Sequence, residues 1–152
     1  MTRSRFAAVS GLAALLLAVA AFARPSVRQQ GPAVIVHKSA TCGCCTKWVD
    51  YMKSEGFQVT VHDMDDVEPI KDQHHVPGDL RSCHTALVGG YVIEGHVPAD
   101  LIQQLIKEKS TLAGLAVPGM VAGSPGMEGG TKQAYDVVSF DKNGKTGVYA
   151  KR

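Results

Sequence analysis

The chain has 152 residues with 16 basic and 14 acidic side chains, a formal net charge of +2 at pH 7, and 45% hydrophobic residues. With no run of like charge, this balance excludes a nucleic-acid partner, which needs clustered lysine and arginine against phosphate. It leaves a chain long enough for one domain with a real core.

The first 23 residues differ from the rest. Arg3 and Arg5 make a positive start, "GLAALLLAVAAFA" is an apolar run too short to span a bilayer comfortably, and Ala21-Phe22-Ala23 offers small residues for cleavage. This pattern predicts a secretory signal peptide over 1–23, with an uncleaved N-terminal anchor as the alternative. Its removal leaves 129 residues with 14 basic and 14 acidic side chains, and no later stretch long and apolar enough to cross a membrane. The folded part is expected outside the cytoplasm, in the periplasm of a bacterium.

Residues 24–32, "RPSVRQQGP", read as a flexible leader, and 33–152 as the folded domain. "AVIVHKS" (33–39) is an apolar, β-branched run and predicts a buried strand. Trp48, Val49 and Met52 recur at helical spacing before Gly56, which predicts a helix over 45–55. "FQVTVHDM" (57–64) alternates as a strand does. Asp65 or Asp66 can cap a short helix running to about His75, ahead of Pro77. "TALVGGYVIEG" (85–95) predicts a hairpin about Gly89-Gly90. A helix begins at Pro98, with Leu101, Ile102, Leu105 and Ile106 as its buried stripe. The order β-α-β-α-β-β-α is the thioredoxin-like arrangement, so the predicted class is α/β, a thioredoxin-like sheet flanked by helices. Two pieces lie beyond it. One is a Gly/Pro/Met loop over 117–130 that contains Pro-Gly-Met twice. The other is a hairpin about Asn143-Gly144 that could add edge strands.

Three of the four cysteines fall in "TCGCCT", where the first strand ends and the first helix begins. Free N–H groups and the positive end of the helix dipole favour thiolate there. Cys42 and Cys45 have the C-x-x-C spacing that closes a disulfide or chelates a soft ion. Cys83 and His84 open the third predicted strand. In a thioredoxin-like fold that loop returns beside the active cysteines and usually carries a cis-proline, but here it reads "SCHT". A further thiol and an imidazole in that slot add ligands. The sulfur set of Cys42, Cys44, Cys45 and Cys83, with His84, suits Cu(I), singly or as several ions. Zinc would also accept four sulfurs but explains adjacent Cys44 and Cys45 less well. Met120 and Met127 are candidate thioether ligands, against the reading that each fills a turn. His37, His62, His74, His75 and His96 carry a weaker signal, since isolated histidines are mostly surface or locally bonded.

Two other classes compete with copper binding. One is a thiol-disulfide oxidoreductase in which Cys42 and Cys45 are the catalytic pair. The other is a non-enzymatic interaction module stapled by Cys42–Cys45 and Cys44–Cys83 disulfides, the default for four cysteines in an oxidising compartment.

The segments "KSATCGCCTKWVDYMKSEGF", "VPGDLRSCHTALVGGYVIEGHVPADLI" and "GLAVPGMVAGSPGME" together resemble the small periplasmic CopG-like copper-resistance proteins, often labelled only as metal-binding or of unknown function. The resemblance runs over about 33–128 without departure at the cysteines. It implies a thioredoxin-like fold, copper held at Cys42, Cys44, Cys45, Cys83 and His84, and a role in copper resistance. It also implies a redox role on copper, interconverting Cu(I) and Cu(II). A periplasmic copper chaperone or efflux component is the protein partner such a role would have.

Overall fold

The computed structural model describes residues 31–152; the expected signal peptide and residues 24–30 of the leader lie outside the described residues. The elements are β1 (Ala33–Ser39), α1 (Gly43–Ser54), β2 (Gln58–Met64), α2 (Glu68–Gln73), a single 3₁₀ turn (Gly78–Leu80), β3 (His84–Val88), β4 (Tyr91–Glu94), α3 (Ala99–Glu108), β5 (Gly114–Ala116), β6 (Asp136–Phe140) and β7 (Thr146–Lys151). They form a mixed α/β fold around one seven-stranded sheet of order β2-β1-β3-β4-β5-β6-β7. β1 runs parallel to β2 and antiparallel to β3, and β3 and β4 form the hairpin expected about Gly89-Gly90.

Alternation along β3 and β4 divides the core between the two faces of the sheet, with Ala86, Val88 and Ile93 on one and Leu87 and Val92 on the other. Val34 and Val36 join Ala86, Val88 and Ile93 beneath Trp48, Val49 and Met52 of α1 and Leu101, Ile102 and Leu105 of α3. A smaller cluster gathers Val92, Ala116 and Phe140 with Val76 and Leu80. Truncating a side chain such as Met52, which has no exposed surface, would cost about 2–5 kcal/mol. Ile106, expected in the buried stripe, is only partly buried at its edge.

The helix boundaries that depart furthest from expectation do so for local reasons. α1 begins at Gly43 rather than at 45 because the Cys42 sulfur acts as its cap, accepting from the Cys45 N–H at 3.3 Å. α2 is shorter at both ends. Pro69 restricts it to a start at Glu68, the Asp66 carboxylate accepts from the Glu68 N–H at 2.9 Å, and His75 leaves the helix at φ +53°. β5 was not expected at all. Its three buried residues pair parallel to β4 on one side and antiparallel to β6 on the other. That bridge is how the Asn143-Gly144 hairpin, β6 and β7, joins the main sheet.

Candidate metal centre

Cys42 leaves β1 through a turn in which its N–H donates to the Ser39 carbonyl at 3.0 Å. Cys44 and Cys45 occupy the first turn of α1, where the Cys45 N–H donates to the Cys42 sulfur. Trp48, one turn on, fixes this end of the helix: it is fully buried and its indole N–H donates to the Val97 carbonyl at 3.0 Å.

Opposite, the chain entering β3 delivers Cys83. The sulfurs of Cys42, Cys44, Cys45 and Cys83 all lie within 4.8 Å of one another. Cys42 and Cys45 are joined as a disulfide, while Cys44 and Cys83 are free. The Cys44 sulfur is 3.6 Å from that of Cys42, and the Cys45 sulfur is 3.7 Å from the Cys83 carbonyl. No described peptide bond is cis, so the loop bearing Cys83 faces the cysteines through a thiol and not a cis-proline.

His84 and His96, a histidine whose signal in the sequence is weak, complete the corner. Cys83, His84 and His96 form a second group whose ligand atoms lie within 4.8 Å of one another. The Cys83 sulfur is 3.4 Å from His84 Nδ1 and 3.1 Å from His96 Nε2. His96 Nδ1 stands 2.7 Å from the Pro125 carbonyl, which can only accept, so the proton sits on Nδ1 and the Nε2 lone pair faces Cys83. His84 Nε2 is buried without a hydrogen-bond partner, and the ring packs against Trp48 with centroids 4.5 Å apart.

Burial sets the protonation states. It pushes the Cys83 thiol up to about 11, with the neighbouring Cys44 adding to the effect. It holds His84 well below the usual imidazole range, reinforced by His96, Lys71 and Lys38. His96 is lowered for the same principal reason. Both imidazoles are thus neutral near pH 7, the form that ligates metals. A metal must displace the Cys83 proton to use its sulfur.

The Pro-Gly-Met loop meets the site through its backbone. Ser82 Oγ donates to the Gly119 carbonyl at 2.9 Å, and Pro125 holds His96, so each repeat is tied to one flank. Gly126, at φ +82°, lies on the first turns of α1, where a Cβ would come within 2.7 Å of the Trp48 nitrogen and 3.0 Å of the Cys44 carbonyl. Met120 is 61% exposed and Met127 partly buried. Neither the exposed His75 nor the His37–His62 stack, centroids 5.2 Å apart, belongs to either metal-capable group.

Beneath Cys83 lies a fully buried ion pair, Lys71 Nζ to Glu94 Oε1 at 2.6 Å. Burial pushes the Glu94 carboxyl up, while Lys71 and the hydrogen bonds from Ser82 and Thr85 pull it back. Removing one partner of such a pair leaves a buried charge and costs about 3–5 kcal/mol.

The signal for His96 was present in the hairpin. With Gly89-Gly90 as a two-residue turn, Val88 pairs with Tyr91 and Thr85 with Glu94. The same register, carried two residues on, sets Cys83 opposite His96.

Fold and site together define a small α/β protein with a sulfur-rich, imidazole-flanked centre at one end of its sheet. The family model described as "Protein of unknown function, DUF411" matches residues 80–127. Two solved structures are similar to this chain. "Copper resistance protein copG- Form 2" is 43% identical with a TM-score of 0.76, and "Copper resistance protein copG- Form 1" is 44% identical with a TM-score of 0.75. Each match covers 80% of this chain and 98% of the other. No curated protein matches. The chain belongs to the CopG-like copper-resistance family.

Proposed function

We propose that this chain is a periplasmic copper-binding protein of copper resistance that takes Cu(I) through Cys42, Cys44, Cys45 and Cys83, with His84 and His96 as imidazole ligands. The convergence of four sulfurs within 4.8 Å carries this reading. Thiolates are soft donors that select Cu(I), and the close set of four, with Cys44 and Cys45 adjacent in the chain, suits sulfurs shared between ions. Met120 and Met127 are supplementary thioether donors on the loop. The frame is read as thioredoxin-like because the parallel β1–β2 pair, the β3–β4 hairpin and the order β2-β1-β3-β4 are that arrangement. The signal-peptide pattern of 1–23 supports export, and a copper chaperone or efflux component is the partner such a carrier would serve.

The Cys42–Cys45 disulfide adds a redox capacity. The reduced pair holds two electrons, so two Cu(II) ions and the dithiol would give two Cu(I) ions, the disulfide and two protons. That balance is a copper oxidoreductase step that starts from the reduced pair, so each cycle needs an external thiol reductant to reopen the Cys42–Cys45 disulfide.

The test is Cu(I) binding by reduced protein against a competing chelator, without oxygen. Tight binding that is lost in Cys44→Ser supports the cluster, and weak binding indifferent to Cys44→Ser sinks it. The Cys42–Cys45 disulfide also favours a second reading, thiol-disulfide exchange with other proteins. Insulin reduction by metal-free protein that survives Cys44→Ser and Cys83→Ser would select that reading instead.

A further inference from the structure

A ladder of backbone hydrogen bonds holds β3 to β4 as far as the Gly95 N–H, which donates to the His84 carbonyl at 3.0 Å. Beyond it Gly95 turns at φ +68°, and its missing Cβ leaves room for Ser82 Oγ and the Val117 carbonyl, each 2.7 Å from where that atom would be. Ser82 and Cys83 therefore enter β3 outside the ladder. The Glu94 carboxylate takes over there. Oε1 accepts from the Ser82 N–H at 2.6 Å, and Oε2 accepts from the Thr85 hydroxyl at 2.7 Å. One carboxylate thus grips the residue before Cys83 and the residue after His84. Lys71 fixes that carboxylate, donating to Glu94 Oε1 at 2.6 Å and to Thr85 Oγ1 at 3.0 Å.

All three side chains are buried. Apolar residues of similar volume often fill such an interior at equal or better stability, so packing alone does not call for an ion pair here. What an apolar pair cannot do is bind the Ser82 N–H and the Thr85 hydroxyl at once.

We propose that Glu94, held by Lys71, is a positioning residue: it clamps the Cys83-His84 dipeptide at both ends and keeps the Cys83 thiol against Cys44. Its consequence for copper rests on the binding site proposed above. Its consequence for the thiols does not.

The experiment compares two neutral replacements of the pair. Lys71→Met/Glu94→Leu keeps apolar bulk and removes the clamp; Lys71→Met/Glu94→Gln restores an acceptor for the Ser82 N–H. The metal-free arm places each in a Cys42→Ser/Cys45→Ser background and follows formation of the Cys44–Cys83 disulfide with diamide. The Leu variant is expected to cross-link at least tenfold more slowly than its parent while keeping the parent's circular dichroism, and the Gln variant to recover most of that rate. Cross-linking at the parent's rate in a folded Leu variant overturns the proposal. Should the Leu variant fail to fold, Thr85→Val decides, since it removes one end of the clamp with little change of shape. A slowing of about threefold or more supports the clamp, and no change overturns it. The copper arm repeats the comparison with all four cysteines against a Cu(I) chelator, where only the Leu variant should weaken binding tenfold or more. If the unsubstituted protein takes no Cu(I), the copper reading falls, and the cross-linking arm still decides the clamp.

Discussion

His96 and Cys83 face each other across the open end of the β3–β4 hairpin, Nε2 to Sγ at 3.1 Å, while the Pro125 carbonyl holds the opposite ring nitrogen at 2.7 Å. A carbonyl on the far nitrogen fixes both tautomer and ring orientation, which is how metal-ligating histidines are commonly held. The loop that supplies Pro125 thereby acts on the site without a side chain. His96→Ala should weaken Cu(I) binding about ten- to a hundredfold in a chelator competition. His75→Ala, on the exposed surface, should leave it unchanged.

Copper binding should strengthen with pH. The Cys83 thiol, pushed up to about 11 by burial and Cys44, stays protonated through neutrality, and a metal must expel that proton. Below that value each unit of pH lowers the apparent affinity about tenfold through this thiol alone. Cu(I) competition from pH 6 to pH 8 measures the slope, and Cys83→Ser should flatten it.

Acid should destabilise the metal-free fold before its carboxylates titrate. His84 and His96 are held below their ordinary range by burial. The unfolded chain therefore binds protons that the folded one refuses. Their contribution is complete above the unfolded value of about 6.5 and is lost as pH falls below it, by up to about 1.4 kcal/mol per pH unit for each histidine. Urea unfolding at pH 7 and pH 5 gives the difference, which His84→Phe should reduce.

The loop should also be sensitive at Gly126. An alanine there must adopt a left-handed φ and meets the Trp48 nitrogen and the Cys44 carbonyl at once. Gly126→Ala should lower unfolding stability by about 1–2 kcal/mol and raise amide exchange across 117–130. Gly78→Ala, where a Cβ meets nothing and φ is ordinary, is the neutral control.

How much of this was legible in the sequence depended on how local each determinant is. β1, α1, the Gly89-Gly90 hairpin and α3 carry their own periodicity and punctuation, and they formed close to where residues 33–106 indicated. β5 could not be read, because Gly114-Leu115-Ala116 has no strand composition and exists only through its pairing with β4 and β6. At the site, the sulfurs were visible because cysteine spacing is a local signal. His96 carried only the weak signal of an isolated histidine, since its role is fixed by pairing across the hairpin and by a carbonyl 29 residues away. The Lys71–Glu94 pair was hidden for the same reason: nothing near Lys71 in the sequence announces that its charge is buried.

The central claim is that copper sits among these sulfurs. Copper K-edge X-ray absorption on reduced protein loaded with Cu(I) without oxygen measures that shell directly. The account predicts a Cu(I) edge with a first shell dominated by sulfur, losing sulfur scattering in Cys44→Ser and in Cys83→Ser. A shell of nitrogen and oxygen alone, or one unchanged in both variants, would contradict it.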